Sequence, residues 1–201
     1  MATTKKKTRE EQIIHSAESV LDEVGVTEFT MDKVVESAGI AKGTAYKYFE
    51  SKDDLLAEVS TKALEQLLNY FRLSERNTPD GIEQTRNILM SVYHFQNDYP
   101  RYFELIVYME RPDFLTNSKA YVGVSQKIQA FFIGHIKRQI EEGHIKDSIT
   151  PMLANYFCWG SCMGVMQFLD AKEAFLTENE NIEQYDLFKS YVDVLVDGMK
   201  A

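Results

Sequence analysis

One seven-residue run, Gly43-Thr44-Ala45-Tyr46-Lys47-Tyr48-Phe49, constrains this chain more than any other stretch, because it follows a glycine turn and lies between two helical patterns. Upstream, Ile13, Ile14, Ala17, Val20, Leu21 and Val24 recur at helical spacing behind Thr8-Arg9-Glu10-Glu11, which reads as a capping box. Gly25 stops that helix, since glycine accepts the left-handed conformation of a helix end. A second helix starts after Thr30 as N-cap, buries Met31, Val34, Val35 and Ala38, and ends at Gly39. The connection from Gly39 to Lys42 leads into a short helix ending near Phe49. Short helix, tight glycine turn, short helix is the helix-turn-helix arrangement. Ser51-Lys52-Asp53-Asp54 then caps a long helix running to about Phe71.

Beyond Leu73 to Gly81, where Pro79 and Gly81 break the pattern, the periodicity predicts helices at about 80–97, 100–110, 118–142, 150–170 and 184–199, and no strand. Ser148 to Leu169 holds no charged residue and is long enough to cross a bilayer. Its Pro151, Asn155, Ser161 and Gln167, and the absence of a basic flank, favour a helix buried on most of its circumference, against its own domain and a second subunit. Gly160 and Gly164 there would let two backbones approach closely.

The fold class that follows is all-α. No export signal stands at the N-terminus, so a cytoplasmic protein without a membrane span is expected. Cys158 and Cys162 read as small buried hydrophobes, with redox or metal chemistry as the alternative. The four histidines form no ligand-spaced pair, so neither metal nor cofactor is expected. No nucleophile elbow, phosphate-cradling loop or spaced acid/base pair points to an enzyme.

The net charge of −9 argues at first against a nucleic-acid partner. Its distribution matters more. Residues 1–52 hold eight Lys/Arg against nine Asp/Glu, leaving 14 against 22 in the remainder. A local face built from Lys5, Lys6, Lys7, Arg9, Lys42, Lys47 and Lys52 could still meet phosphates. A helix that reads a duplex needs an anchored back and an outward front. Ala45 and Phe49 supply the back, which frees Thr44, Tyr46, Lys47 and Tyr48 for bases and phosphates. Gly43 lets the backbone come close to DNA. Lys42 and Lys52 stand at helix N-termini, where a bound anion would offset their unfavourable interaction with the helix dipole. Each also reads as a solvated surface lysine, and Thr30 as an ordinary cap or as one that touches phosphate.

The stretch from Phe29 to Val34 and on through Ala38-Gly39-Ile40-Ala41-Lys42-Gly43-Thr44-Ala45-Tyr46-Lys47-Tyr48-Phe49-Glu50-Ser51-Lys52 to Leu55 resembles the DNA-binding domain of the tetracycline-repressor (TetR) family. The resemblance covers roughly residues 9–56. It implies a three-helix DNA-binding domain at 1–56, joined by a long helix to a helical regulatory and dimerisation domain at 57–201. It also implies DNA contacts from Thr30, Lys42, Gly43, Thr44, Tyr46, Lys47, Tyr48 and Lys52. Two departures stand out: Ala41 where the family often has serine, and Ala45 where a larger apolar residue is frequent. The expected function is a homodimeric transcriptional regulator, most simply a repressor released from a pseudo-palindromic operator by a small apolar or aromatic effector. The alternative is control by a protein partner or by cysteine redox chemistry.

Aromatic and methionine side chains concentrate after residue 90 and offer a pocket, for which Phe103, Glu104, Tyr108, Tyr121, Phe131, Trp159, Met163 and Met166 are the candidates. Plain core packing explains each of them as well. Glu104 or Glu110 in such a pocket would favour a cationic ligand.

Overall fold

A computed structural model describes residues 2–114 and 116–201, and for residues 2–7 the backbone only. Among them, helical spacing becomes nine helices: α1 Ala2–Glu28, α2 Met31–Ser37, α3 Lys42–Ala45, α4 Lys52–Asn77, α5 Ile82–Asp98, α6 Pro100–Met109, α7 Lys119–Glu141, α8 Pro151–Asn179 and α9 Gln184–Met199. The described residues contain no strand, only an isolated bridge between Ile145 and Lys200. None of these helices is long and apolar enough to cross a membrane.

Four helix limits differ from the sequence expectation, each for a physical reason. α1 begins at Ala2, so Thr8 lies inside it and is no cap; nothing in the lysine-rich start breaks a helix. α3 is a single α-helical turn, and the chain from Tyr46 to Phe49 continues in tighter turns, with Lys47 N–H bonded to the Thr44 carbonyl at 3.2 Å. α4 runs on to Asn77, because the good helix formers Arg72, Leu73, Glu75 and Arg76 precede the first real breaker, Pro79. α8 extends nine residues past 170 through Ala171, Lys172, Glu173 and Ala174, with buried Leu176 pinning its last turns. The expected breaks at Gly25 and Gly39 do carry positive φ, at 72° and 62°, as does Gly143 beyond α7, at 78°.

The chain gathers into two compact units, Met1–Glu65 with Tyr99–Ser125, and Gln66–Asp98 with Gln126–Ala201. In the first, a core of Ile13, Ala17, Leu21, Phe29, Val34, Leu55 and Leu56 joins α1, α2 and the start of α4, and Leu105 and Met109 of α6 belong to it. α6 lies against α1 where Gly25 has no side chain: a Cβ there would meet Arg101 Nη1 at 2.8 Å.

In the second unit α9 packs on α5 and α8 through Phe188, Val192, Val196 and Met199. Arg86 of α5 is paired with Asp193 and, at 2.9 Å, with Asp197 of α9. A partly buried polar cluster pins α4, α5 and α7 together. His135 Nε2 lies 2.9 Å from the Thr85 hydroxyl, its Nδ1 3.3 Å from Glu75, and Arg138 donates to Glu75 at 2.7 Å.

Candidate functional site

Two anchors set the orientation of the helix-turn-helix reading segment. Ala45 is fully buried and Phe49 is 4% exposed, both inside the core of the first unit. Burying a side chain such as phenylalanine stabilises by about 1.5–3 kcal/mol, so these residues decide which face turns outward. Lys42, Gly43, Tyr46 and Lys47 are exposed and Thr44 half-buried. Nothing lies within 4 Å of where a Gly43 Cβ would stand, so that backbone is open to approach. Among the described residues Lys47 has no ion-pair partner, which leaves its ammonium to solvent.

The remaining expected DNA contacts carry local duties as well. The Thr30 hydroxyl caps α2, accepting the Lys33 N–H at 3.3 Å. Tyr48 packs part of its ring on the core. Lys42 Nζ is 2.6 Å from Asp32, and this hydrogen bond raises the lysine pKa; an ion pair so exposed is weak and can be exchanged for a phosphate. Lys52 is more occupied. Its ammonium donates to the Val26 carbonyl at 3.4 Å and lies 5.7 Å from the Phe29 ring centre and 5.3 Å from that of Tyr108. The side chains of Lys5, Lys6 and Lys7 lie outside the described residues.

The eight expected pocket residues divide between the two units. Phe103, Glu104, Tyr108 and Tyr121 belong to the first unit, and Phe131, Trp159, Met163 and Met166 to the second. Glu104 is bonded to Arg101 at 2.9 Å and sits against Gly25, Tyr108 lies under Arg111, and Tyr121 meets Phe114 edge-on at 5.4 Å. Phe103 is buried. In the second unit Phe131 stacks on Phe71 at 6.1 Å, while Met163 and Met166 are core. Leu105 and Met109 of α6 join the core shared with α1, and Tyr102 and Tyr108 pack against it.

The second unit has a cavity of its own, of about 30 Å³, lined by Phe71, Ile88, Leu89, Val92, Ile128, Phe132, Asn155, Cys158, Trp159 and Cys162. Trp159 is the one expected pocket residue among them. The others escaped sequence reading because they come from four helices and look like ordinary core; the thiols one turn apart in an uncharged helix were the available signal. No charged side chain lines the space, so it gives a cationic ligand no counter-ion. Burial pushes Cys158 up to about 12, and Cys162, which accepts a hydrogen bond from Tyr191 at 3.5 Å, up to about 11. Both are protonated thiols at neutral pH and poor nucleophiles, which speaks against the redox control left open by the sequence. No group of three or more His, Cys, Asp or Glu side chains gathers to hold a metal among the described residues.

Comparison with known proteins bears on the same elements. Residues 13–59, which run from α1 into α4, match the family described as bacterial regulatory proteins, tetR family. The fatty acid metabolism regulator protein of Bacillus subtilis is 25% identical over 198 residues, 94% of each chain. Among solved structures, a tetR family transcription regulator from Shewanella sp. PV-4 superposes with a TM-score of 0.70 at 15% identity, over 96% of this chain and 98% of that one. FadR from Bacillus subtilis, solved in complex with stearoyl-CoA, does so with a TM-score of 0.66 at 18% identity, over 94% and 98%. With its helix-turn-helix anchored by Ala45 and Phe49 inside the matching residues and 94% of its length aligned with a regulator, the chain is a TetR-family transcriptional regulator, a DNA-binding protein and not an enzyme.

Proposed function

We propose that the chain acts as a homodimeric repressor that leaves its operator when the apolar portion of a small-molecule effector, such as an acyl chain, enters the second unit. Helix α8 carries this reading. One of its sides, through Asn155, Cys158, Trp159 and Cys162, lines the cavity. Its opposite side exposes Leu153, Tyr156, Phe157, Gly160, Gly164 and Phe168 as one apolar stripe, with Leu153 at 66% and Phe157 at 63%. An exposed stripe of that length marks a surface that another chain covers, and a second copy gives a self-complementary two-fold contact. An effector that enlarges the cavity pushes on the same helix that joins the subunits, and so changes the separation of the two reading heads.

At about 30 Å³ the cavity exceeds the ~10–15 Å³ that one water requires, so a ligand must open it further. An acyl chain suits such a lining, and the relative solved with stearoyl-CoA makes that compound the first probe. Residues 1–56 serve as the DNA-binding domain and 57–201 as the effector and dimerisation domain. Gly43, Thr44, Tyr46 and Lys47 make the reading contacts, and Thr30, Lys42, Tyr48 and Lys52 frame them at the phosphates. The test is fluorescence anisotropy on the duplex upstream of the chain's own gene, at physiological salt, with and without stearoyl-CoA. Preference for that duplex over a scrambled one, lost on adding the probe, is expected. Equal binding to both duplexes overturns the operator reading. Release by stearoyl-CoA of a variant whose cavity is filled by Cys162→Phe would overturn the cavity assignment.

A further inference from the structure

We propose that Arg111, on the connection between α6 and α7, is a positioning residue for DNA reading: it holds the first turn of α4, and through it the recognition segment, in place. The proposal rests on the DNA-reading role assigned above to residues 43–47.

Three acidic side chains line the start of α4, and each is met by a group from the eight residues 111–118. Arg111 Nη2 donates to Asp53. Thr116 donates to Asp54 Oδ1 at 3.4 Å, and Ser118 to Glu58 Oε1 at 2.7 Å. Arg111, Thr116 and Ser118 thereby hold more than one turn of the helix that follows the recognition segment.

Arg111 is the most constrained of the three. Its guanidinium carbon lies 4.2 Å from the Tyr108 ring centre and 5.3 Å from that of Phe114, while Nη1 donates to the Tyr108 carbonyl at 3.2 Å. Its side chain is 21% exposed and that of Asp53 24%, against 53% and 70% for the Lys42–Asp32 pair. A planar cation stacked on an aromatic ring and bonded to a carboxylate fixes direction as well as charge. The Tyr108 ring also contacts Lys52, whose ammonium reaches back to the Val26 carbonyl, just past the kink of α1 at Gly25. Ser51 Oγ in turn accepts the Asp54 N–H at 3.0 Å, and only two residues separate Phe49 from α4. A displacement of Arg111 therefore passes to the recognition segment through few and stiff contacts. All these residues belong to one compact unit, in which Tyr99–Ser125 accompanies the DNA-binding helices.

The test compares Asp53→Asn, which preserves shape, Arg111→Gln and the double variant with the full-length wild type. Two measurements are made: operator affinity by anisotropy, and amide hydrogen exchange over residues 43–58. Each single variant is expected to bind at least tenfold more weakly and to exchange faster over 43–58. The double variant should be no worse than Arg111→Gln alone, because that variant already removes the Asp53 pair, together with the Tyr108 contacts and the Asp113 pair at 3.2 Å. Wild-type affinity with unchanged exchange in both single variants overturns the proposal, as do losses that simply multiply in the double variant. Should the wild type itself show no operator preference, the function reading fails, whereas the exchange comparison still decides whether Arg111 holds the segment.

Discussion

Lys47 and Lys52 show how differently two lysines of one motif are used. Lys47 has no ion-pair partner among the described residues, whereas Lys52 is held by a carbonyl and two rings. Lys47→Ala should therefore weaken operator binding and reduce the slope of log affinity against log salt by about 0.9, the value for one neutralised phosphate. Lys52→Ala should lower the melting temperature with a smaller change in slope; an unchanged melting temperature would show that its ring contacts contribute nothing. The sequence revealed both lysines but could not distinguish them, because Tyr108 lies 56 positions beyond Lys52 and nothing local announces their contact. A second residue-scale expectation concerns His135, whose burial lowers its pKa below the ordinary 6.5, with Glu75 opposing and Arg138 assisting that shift. The unfolded chain then binds a proton that the folded one refuses, so stability is full above about 6.5 and is lost as pH falls from there toward the folded value. Urea midpoints measured from pH 7.5 to 5.5 should drop more steeply for the wild type than for His135→Gln; parallel curves would remove His135 from the account.

At the scale of elements, the glycine stops and the N-cap at Thr30 were legible because they are local chemistry, with the required φ or side-chain bond supplied by one residue. The ends of α4 and α8 were not, since a polar helix tail such as Lys172 to Asn179 has no strong stop signal and depends on buried Leu176 to persist. The placement of α6 was also hidden. Its apolar residues suit a pocket wall or a helix contact equally, and the bare backbone of Gly25 on α1 decides for the contact. The outward face of α8 gives a prediction proper to this scale. Gly160 and Gly164 are exposed on it, and a Cβ at either meets nothing within 4 Å in the single chain. Gly164→Leu should therefore leave the subunit folded, even favouring the helix by up to about 1 kcal/mol, yet prevent close approach of a second α8. Light scattering coupled to gel filtration is expected to show a monomer of native helicity. A dimer of unchanged stability would move the subunit contact away from this face.

For the whole molecule the balance of charge decides how DNA can be held. Outside residues 1–52 the chain carries 14 basic against 22 acidic residues, so most of the protein repels a phosphate backbone. Among the described side chains of the head, Lys42 is shared with Asp32 and Lys52 with aromatic rings, which leaves few of them free to neutralise phosphate. One head alone should bind weakly, and in the proposed dimer two heads engaging one duplex together supply the useful affinity, an effective-concentration gain that vanishes when geometry forbids simultaneous contact. Two-fold related reading helices require half-sites on one face of the DNA, separated by one turn of about 34–36 Å or a multiple of it. Inserting five base pairs at the centre of the operator turns the second half-site to the far side and should reduce affinity to that of an isolated half-site. Anisotropy titrations on the native, five-pair and half-site duplexes at fixed salt check this. Equal affinity for the native and five-pair duplexes would mean that each head binds independently, and the acidic body would then have to be reconciled with a single head that holds DNA unaided.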